Sequence, residues 1–333
     1  MKRTLIVVLF FMLLVGGGQK EVAASGQAWA VIDADTGRLL EGQNENVRLP
    51  IASLTKMWTA FTFIESGKLP KDVIISPQAA SAEGSSLYLP QGMMIDSYAL
   101  LNGLMLRSGN DAARALAEHA GGSMDGFVDL MNEKALLYGL NDTVFTNPSG
   151  LHDERHLSTA YETALMLHYA MGNDKFRKIA TTENYSYQGK DQAYNWRNKH
   201  RLIHSEQTAI AGKTGFTKAA GRTLATYFEK DGKNIIVVTL NDGNDWNTHR
   251  NLASKVFSTF DLVTVAKKGV YDILPGVEAE LAKPIRLLLK KGEKSKLSNV
   301  ILIPRGKDEK STGHWTVSLD NEPLITTEVL IKQ

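Results

Sequence analysis

The feature that most restricts the fold is a hydrophobic period that changes from two to three-or-four and back to two. Residues 28–33 (AWAVID) and 38–40 flank Asp35-Thr36-Gly37 and read as two short strands joined by a turn. From Pro50 to about Met171 the spacing becomes helical. Leu100, Leu101, Leu104 and Met105, then Ala112, Ala113, Leu116 and Ala117, recur at three- and four-residue intervals. From Arg222 the period shortens again: residues 223–228 and 234–240, with Lys230-Asp231-Gly232-Lys233 between them, read as a hairpin. Residues 247–265 read as a helix. Strands on either side of a helical stretch predict one mixed α/β (α+β) domain whose sheet is assembled from both ends of the chain. Beyond Lys267, short apolar runs at 285–289, 300–303, 315–319 and 328–331, separated by charged and Gly/Pro turns, predict a small β module.

The N-terminus stands apart. Met1-Lys2-Arg3 precedes an apolar run from Leu5 to Val15, and Val22-Ala23-Ala24-Ser25 supplies small residues for cleavage, so residues 1–24 read as an export signal. The run is shorter than the roughly 20 residues a spanning helix needs. Its removal takes the formal charge from +2 to zero, which gives no ground for a nucleic-acid partner. The chain has no cysteine, and in an exported protein that excludes disulfides, thiol catalysis and cysteine-ligated metal. With 43% hydrophobic residues, stability must come from packing. The expected division is a signal at 1–24, a larger domain at 25–267 and a β-rich domain at 268–333.

Three short stretches carry candidate chemistry. In Pro50-Ile51-Ala52-Ser53-Leu54-Thr55-Lys56, a helix opening at Ser53 puts Ser53 and Lys56 on one face, a turn apart. The helix N-terminus favours an oxygen nucleophile losing its proton. A lysine can be the base only if burial or a second cation lowers its pKa from near 10.4. The pair alone is weak, since ordinary composition gives about one such spacing per chain of this size. Ser108-Gly109-Asn110 lies between two helical patterns and offers a hydroxyl and an amide from a tight bend. Lys213-Thr214-Gly215 precedes the hairpin and offers a cation, a hydroxyl and a glycine that admits a substrate backbone.

In this order the three stretches resemble the S-x-x-K, S-x-N and K-T-G motifs of the D-alanyl-D-alanine carboxypeptidases among the low-molecular-weight penicillin-binding proteins. Arg107-Ser108-Gly109-Asn110-Asp111-Ala112, Asn147-Pro148-Ser149-Gly150-Leu151 and Gly212-Lys213-Thr214-Gly215-Phe216-Thr217 extend the likeness, which covers about residues 27–265. The resemblance implies a DD-peptidase/β-lactamase-like domain, with a mainly antiparallel sheet flanked by helices and a helical cluster, and a small C-terminal all-β domain. It also implies a mechanism. Ser53 would attack the carbonyl between the two terminal D-alanines of a peptidoglycan stem peptide, with neutral Lys56 as base. Ser108 would pass the proton to the leaving amine, and Asn110 would bond Lys56 or the substrate amide. Lys213 and Thr214 would hold the carboxylate, beside Gly215, and the backbone N–H groups of Ser53 and Phe216 would form the oxyanion hole. β-Lactam antibiotics would acylate the same serine. No cofactor or metal is implied.

Other readings are weighed against this one. A β-lactamase would share the motifs, but no E-x-x-x-N stretch follows Asn110. A zinc peptidase could use His152 and His156, spaced i and i+4, but the sequence is not H-E-x-x-H and follows a loop signature. A non-catalytic wall-binding protein would need no intact motifs, and none here is broken. Asn195-Trp196-Arg197-Asn198-Lys199-His200-Arg201-Leu202 and Asn244-Asp245-Trp246-Asn247 are similar to sporulation-type members. The final residues read as a strand, not an amphipathic anchor, which predicts an exported protein, extracellular or wall-associated.

Overall fold

The computed structural model describes residues 28–69, 71–190, 193–304 and 310–332. The export-signal reading of residues 1–24 lies outside them. Five antiparallel strands form the central sheet, in the order Leu39–Gln43, Ala28–Asp33, Lys233–Leu240, Gly221–Lys230, Ala209–Thr217. Both ends of the chain segment contribute, as the change of period requires. The strands Ala28–Asp33 and Lys233–Leu240 carry apolar residues on both faces because both faces are covered. Ala28, Ala30 and Ile32 enter one core and Val31 the other, while Ile236, Val238 and Leu240 alternate in the same way with Ile235 and Val237.

One face carries the helical cluster. Its centre is the helix Thr55–Glu65, in which ten of eleven residues are buried, and a helix so apolar on every side is stable only when wrapped by others. Trp58 is fully buried there, with its indole N–H donated to the Met131 carbonyl at 3.0 Å. The surrounding helices include Ser97–Arg107, Asn110–Gly121, Met124–Leu137 and Ala160–Met171. Asp96, Ser123 and Thr159 cap three of them, each accepting a backbone N–H. The opposite face is covered by Ala253 and Val256 of the helix Asp245–Thr259.

That helix is shorter than the sequence suggested. It ends at Thr259, and Phe260–Ala266 is a strand paired antiparallel with Ile285–Lys290. The spacing of apolar residues in this run fits a helix or a strand, and the pairing with Ile285–Lys290 decides for the strand. A second five-stranded antiparallel sheet follows, in the order Gly269–Leu274, Val277–Leu281, Glu322–Lys332, Lys310–Leu319, Leu297–Leu302. The strand Ile285–Lys290 is the seam between the two parts. Leu288 enters the core beneath the central sheet, whereas Leu287 and Leu289 enter that of the C-terminal sheet. Arg38 fastens the seam from the first turn, donating to the Leu288 carbonyl at 2.9 Å and pairing with Glu293 at 2.7 Å. Buried Asp33 accepts the Leu288 N–H at 3.4 Å, and burial raises its carboxyl to about 6.

Two left-handed glycines separate backbone conformation from packing. Gly139 (φ +74°) has nothing within 4 Å of the position a Cβ would take. At Gly150 (φ +78°) that position lies 1.9 Å from the Ala52 carbonyl oxygen. Gly139→Ala should therefore lose only the conformational term, about 1–2 kcal/mol. Gly150→Ala should lose upwards of about 3 kcal/mol in the same urea titration. Equal midpoints would mean that the Gly150 loop can back away from the Ala52 turn.

Candidate active site

Ser53 lies in a single 3-10 turn, Ala52–Leu54, that runs directly into the helix Thr55–Glu65. Ala52 has φ +48°, a strained value for a residue with a side chain, so neighbours must fix the turn. Three of them do so through its carbonyls. Thr55 Oγ1 donates to the Ala52 carbonyl at 2.8 Å, and Thr223 Oγ1 to that of Ile51 at 3.1 Å. His156 acts through Thr55. The Thr146 N–H donates to His156 Nδ1 at 3.1 Å, which leaves the ring proton on Nε2, 2.7 Å from Thr55 Oγ1. Burial lowers this imidazole to about 4, so it stays neutral.

Lys56 is fully buried, with Nζ 3.0 Å from Ser53 Oγ and 2.5 Å from the Ser149 carbonyl. Its pKa is driven well below the ordinary value, first by burial, then by the charges of Lys213 and Lys199, with Asp111 opposing. A neutral amine can donate one N–H to Ser149 and accept the Ser53 hydroxyl proton on its lone pair. The Ser149 carbonyl is placed by Asn147, whose Oδ1 accepts the N–H groups of Ser149, Gly150 and Leu151 at 3.1, 2.8 and 3.0 Å.

Ser108 ends the helix Ser97–Arg107 in a left-handed conformation, and Asn110 begins the next helix. The bend turns the Ser108 hydroxyl toward Lys213, whose Nζ is 3.0 Å from Ser108 Oγ and 2.8 Å from the Thr214 carbonyl. Burial, and then the charge of Lys199, lowers Lys213 to about 7. Asp111 holds the adjoining loop, accepting the Leu87 N–H at 2.8 Å and the Ser86 hydroxyl at 2.7 Å.

Lys213-Thr214-Gly215 lies within the edge strand Ala209–Thr217 itself, opposite Ala225, Leu224 and Thr223. A Cβ on Gly215 would be 2.9 Å from the Ser53 backbone nitrogen and 2.4 Å from Thr223 Oγ1, so only glycine lets the strand reach the Ser53 turn. Phe216 is two-thirds exposed beside it, at 66%. The cleft holds a cavity of about 340 Å³ lined by Ser53, Ser108, Thr214, Gly215 and Phe216, with Lys199, Arg201, Arg222 and Trp246 along its far wall. A second cavity, of about 350 Å³, is lined by Asn110, Asn147, Ser149 and Glu83.

All eight candidate residues lie at or beside these two cavities. Of the two partners considered for Asn110, Lys56 is not bonded to it in the structure, and the substrate amide is the other. Asn110 Nδ2 donates to the Glu83 carbonyl, and the residue faces the second cavity. The two histidines considered for metal diverge, since His152 is exposed and His156 is buried in the network above. His156 instead ties its loop to the Ser53 turn, through Thr146 on one side and Thr55 on the other. Sequence reasoning passed over Arg222, Asp245 and Trp246 as wall residues, for which the Asn244-Asp245-Trp246-Asn247 segment was the available signal.

Residues 17–244 match the peptidase S11 family, described as D-alanyl-D-alanine carboxypeptidase. The chain is similar to the D-alanyl-D-alanine carboxypeptidase DacF of Bacillus subtilis, 32% identical over 342 residues that span 94% of this chain and 86% of that protein. The crystal structure of a D-alanyl-D-alanine carboxypeptidase from Mycobacterium tuberculosis aligns with a TM-score of 0.66 at 30% identity, over 69% of this chain and 90% of that one. Penicillin binding protein 5 of Haemophilus influenzae shares the fold, with a TM-score of 0.74 at 22% identity over 92% of this chain and 96% of its own.

The lysine pair fixes the sign of a pH dependence. Acylation of Ser53 by a β-lactam, followed between about pH 5 and pH 9, should fall on the acid side as Lys56 gains its proton. Lys213→Met removes a charge that holds Lys56 down, so the acid limb should move to higher pH. An unmoved limb would show that Lys213 does not set the state of Lys56.

Proposed function

This chain belongs to the family of D-alanyl-D-alanine carboxypeptidases, serine-type hydrolases of peptidoglycan metabolism, and from that premise we propose how its own residues divide the reaction. It removes the terminal D-alanine from stem peptides. The observation that carries the assignment of roles is the pairing of two buried lysines with two serines, Lys56 with Ser53 and Lys213 with Ser108, each at 3.0 Å.

Ser53 is the nucleophile and neutral Lys56 its base. As Oγ attacks the carbonyl of the penultimate D-alanine, its proton moves to Lys56 Nζ, and the oxyanion is received by the backbone N–H groups of Ser53 and Phe216. Such a donor is worth about 2.7–4 kcal/mol of barrier. Ser108, polarised by Lys213, passes its proton to the leaving nitrogen and is resupplied from protonated Lys56, which thereby returns to the neutral amine. The C–N bond breaks, D-alanine departs, and water cleaves the Ser53 ester with Lys56 again as base. The free carboxylate of the substrate enters the cationic side of the cleft, meeting the Thr214 hydroxyl and Arg222. Lys213 acts on it through its field only, since its ammonium is buried on Ser108 and Thr214. The acyl chain then leaves past Asn110 into the second cavity, where the Asn110 amide can turn from Glu83 to the substrate carbonyl. β-Lactams acylate the same serine.

The N-terminal signature of residues 1–24 supports export, with action at the wall outside the cytoplasmic membrane. Among the described residues no helix is long and apolar enough to cross a membrane. The seam strand supports a catalytic unit at 25–267 and a β-rich unit at 268–333, with Phe260–Ala266 fastening one to the other. Likeness to sporulation-type members in residues 195–202 and 244–247 supports a role in endospore-forming cells.

Mass spectrometry tests the assignment. The protein incubated with diacetyl-Lys-D-Ala-D-Ala should release one D-alanine, and with penicillin it should carry a stable adduct on the Ser53 peptide. Ser53→Ala should abolish both. An adduct on another serine would remove Ser53 as nucleophile, and rapid penicillin turnover without tripeptide cleavage would make the enzyme a β-lactamase.

A further inference from the structure

The helix that carries Lys56 grips the loop 147–150 at two successive carbonyls. Lys56 Nζ takes the Ser149 carbonyl at 2.5 Å, and Thr59 Oγ1, three residues further along the same helix, donates to the Pro148 carbonyl at 2.7 Å. Thr59 is fully buried, and neither of the two cavities is lined by it. A threonine inside a helix ordinarily bonds back to its own preceding turn. Here that acceptor, the Thr55 carbonyl, lies at 3.3 Å, so the shorter bond to Pro148 takes the proton. The N–H groups of the loop are gathered the other way. Those of Ser149, Gly150 and Leu151 converge on Asn147 Oδ1, and Asn147 Nδ2 returns to the Leu151 carbonyl at 2.9 Å. Pro148 has no N–H to contribute, which leaves its carbonyl as the one polar backbone group by which it can be fixed.

The Ser149 carbonyl serves Lys56 twice. It takes one N–H of the neutral amine, which leaves the lone pair for the Ser53 hydroxyl at 3.0 Å. Once the proton has moved, the buried ammonium has no carboxylate in contact, because Asp111 is bonded to the backbone of residues 86–89 and to Ser86. The Ser149 carbonyl is then the backbone dipole that meets the charge, and a hydrogen bond to the charged form favours that form. Where this oxygen stands therefore governs how readily Lys56 accepts the proton and where it holds it. The carbonyls of Pro148 and Ser149 belong to adjacent rigid peptide planes joined at the Ser149 Cα, so fixing the first restrains the second.

We propose that Thr59 is a positioning residue for the Ser53 reaction: its hydroxyl holds the Pro148 carbonyl, and through it the Ser149 carbonyl against which Lys56 accepts and releases its proton. This role rests on the reading of Ser53 as nucleophile and Lys56 as base, and it adds a residue that touches neither the substrate nor the reacting atoms. Thr59→Val keeps the shape of the side chain and removes the donor. The Pro148 carbonyl is then buried without a partner, and its peptide plane turns toward another one. The Ser149 carbonyl moves with it, so the lone pair of Lys56 is aimed less well and the ammonium is held less well. Both changes slow acylation. The second also makes the amine harder to protonate, which is the opposite of what Lys213→Met does. The other charged groups that act on Lys56, which are Lys213, Lys199 and Asp111, keep their places, and His156 stays neutral.

The test follows penicillin acylation of the wild type, Thr59→Val and Thr59→Ser from about pH 5 to pH 9, well below the unfolding midpoint of each. The mass of the adduct on the Ser53 peptide counts only the molecules that react there. Thr59→Val should acylate about tenfold more slowly on its plateau, the equivalent of weakening one charge-assisted hydrogen bond. Its acid limb should lie lower by about half a pH unit or more. Thr59→Ser keeps the hydroxyl and should match the wild type in both respects. A threonine that only supports the fold would lower the unfolding midpoint of the valine variant and leave the rate per reacting molecule and the limb where they are. That outcome overturns the role, as does a serine variant that behaves like the valine one. Should the valine variant not fold, Thr59→Ala is scored by the same two readouts. Absence of an adduct on Ser53 in the wild type would instead remove the nucleophile reading beneath it.

Discussion

Two lysines carried out of water into one cleft set the terms on which the rest of the structure depends. Lys56 is fully buried and Lys213 nearly so, and each meets only neutral oxygens, two of them backbone carbonyls and two serine hydroxyls. A carboxylate beside Lys56 would have eased its burial, but it would also have fixed the proton that the amine must lose. The nearest acid in effect, Asp111, is turned toward the backbone of residues 86–89. The cost of burial is therefore left without an opposing charge beside either amine. Burial lowers Lys213 to about 7 and drives Lys56 well below its ordinary value, and the charge of Lys213 adds to the fall at Lys56.

An arrangement of this kind is held by its surroundings, and backbone strain gathers where it is held. Ala52 and Ser108 both have positive φ, and each such residue costs of order 1–3 kcal/mol. Both are over-determined. The path from His156 through Thr55 to the Ala52 carbonyl is buried throughout, and Ser108 stands between two helices whose packing leaves no other course for the chain. The imidazoles of His156 and His200 stay neutral because burial lowers them to about 4 and about 3. They serve as fixed hydrogen-bonding plates and add no positive charge to the cleft.

What could be read from the sequence follows the range of the interactions. The sheet built from both chain ends, the helical middle and the three motifs each rest on patterns spanning a few residues, and they were legible. The end of the helix at Thr259 was not, because Phe260, Leu262 and Val263 satisfy a helical spacing as well as a strand, and it is pairing with Ile285–Lys290 that decides. In the site, Ser53 with Lys56 was legible as a three-residue spacing. The carbonyl that meets Lys56 belongs to Ser149, 93 positions from the lysine, and no local pattern announces it. The Arg222, Asp245 and Trp246 wall was hidden for the same reason, since its bonds join the hairpin to the helix Asp245–Thr259.

The edge of the central sheet shows how stability and chemistry share one solution. An unpaired edge strand invites another chain, and Ala209–Thr217 is such a strand. It is closed to ordinary pairing by the packing that makes the site. At Gly215 a Cβ would collide with the Ser53 turn, and at Gly212 it would lie 2.7 Å from His200 Nε2 and 2.3 Å from the Ala225 carbonyl. A side chain at either point would push the strand away from Ser53 or from the buried histidine that packs edge-on against Trp246. The two glycines thus keep the strand seated against both, leaving Thr214 to Phe216 as the open stretch beside the nucleophile. An extended peptide can lie along that stretch only by bringing a carbonyl to Ser53, so the feature that guards the edge also selects the substrate's line of approach.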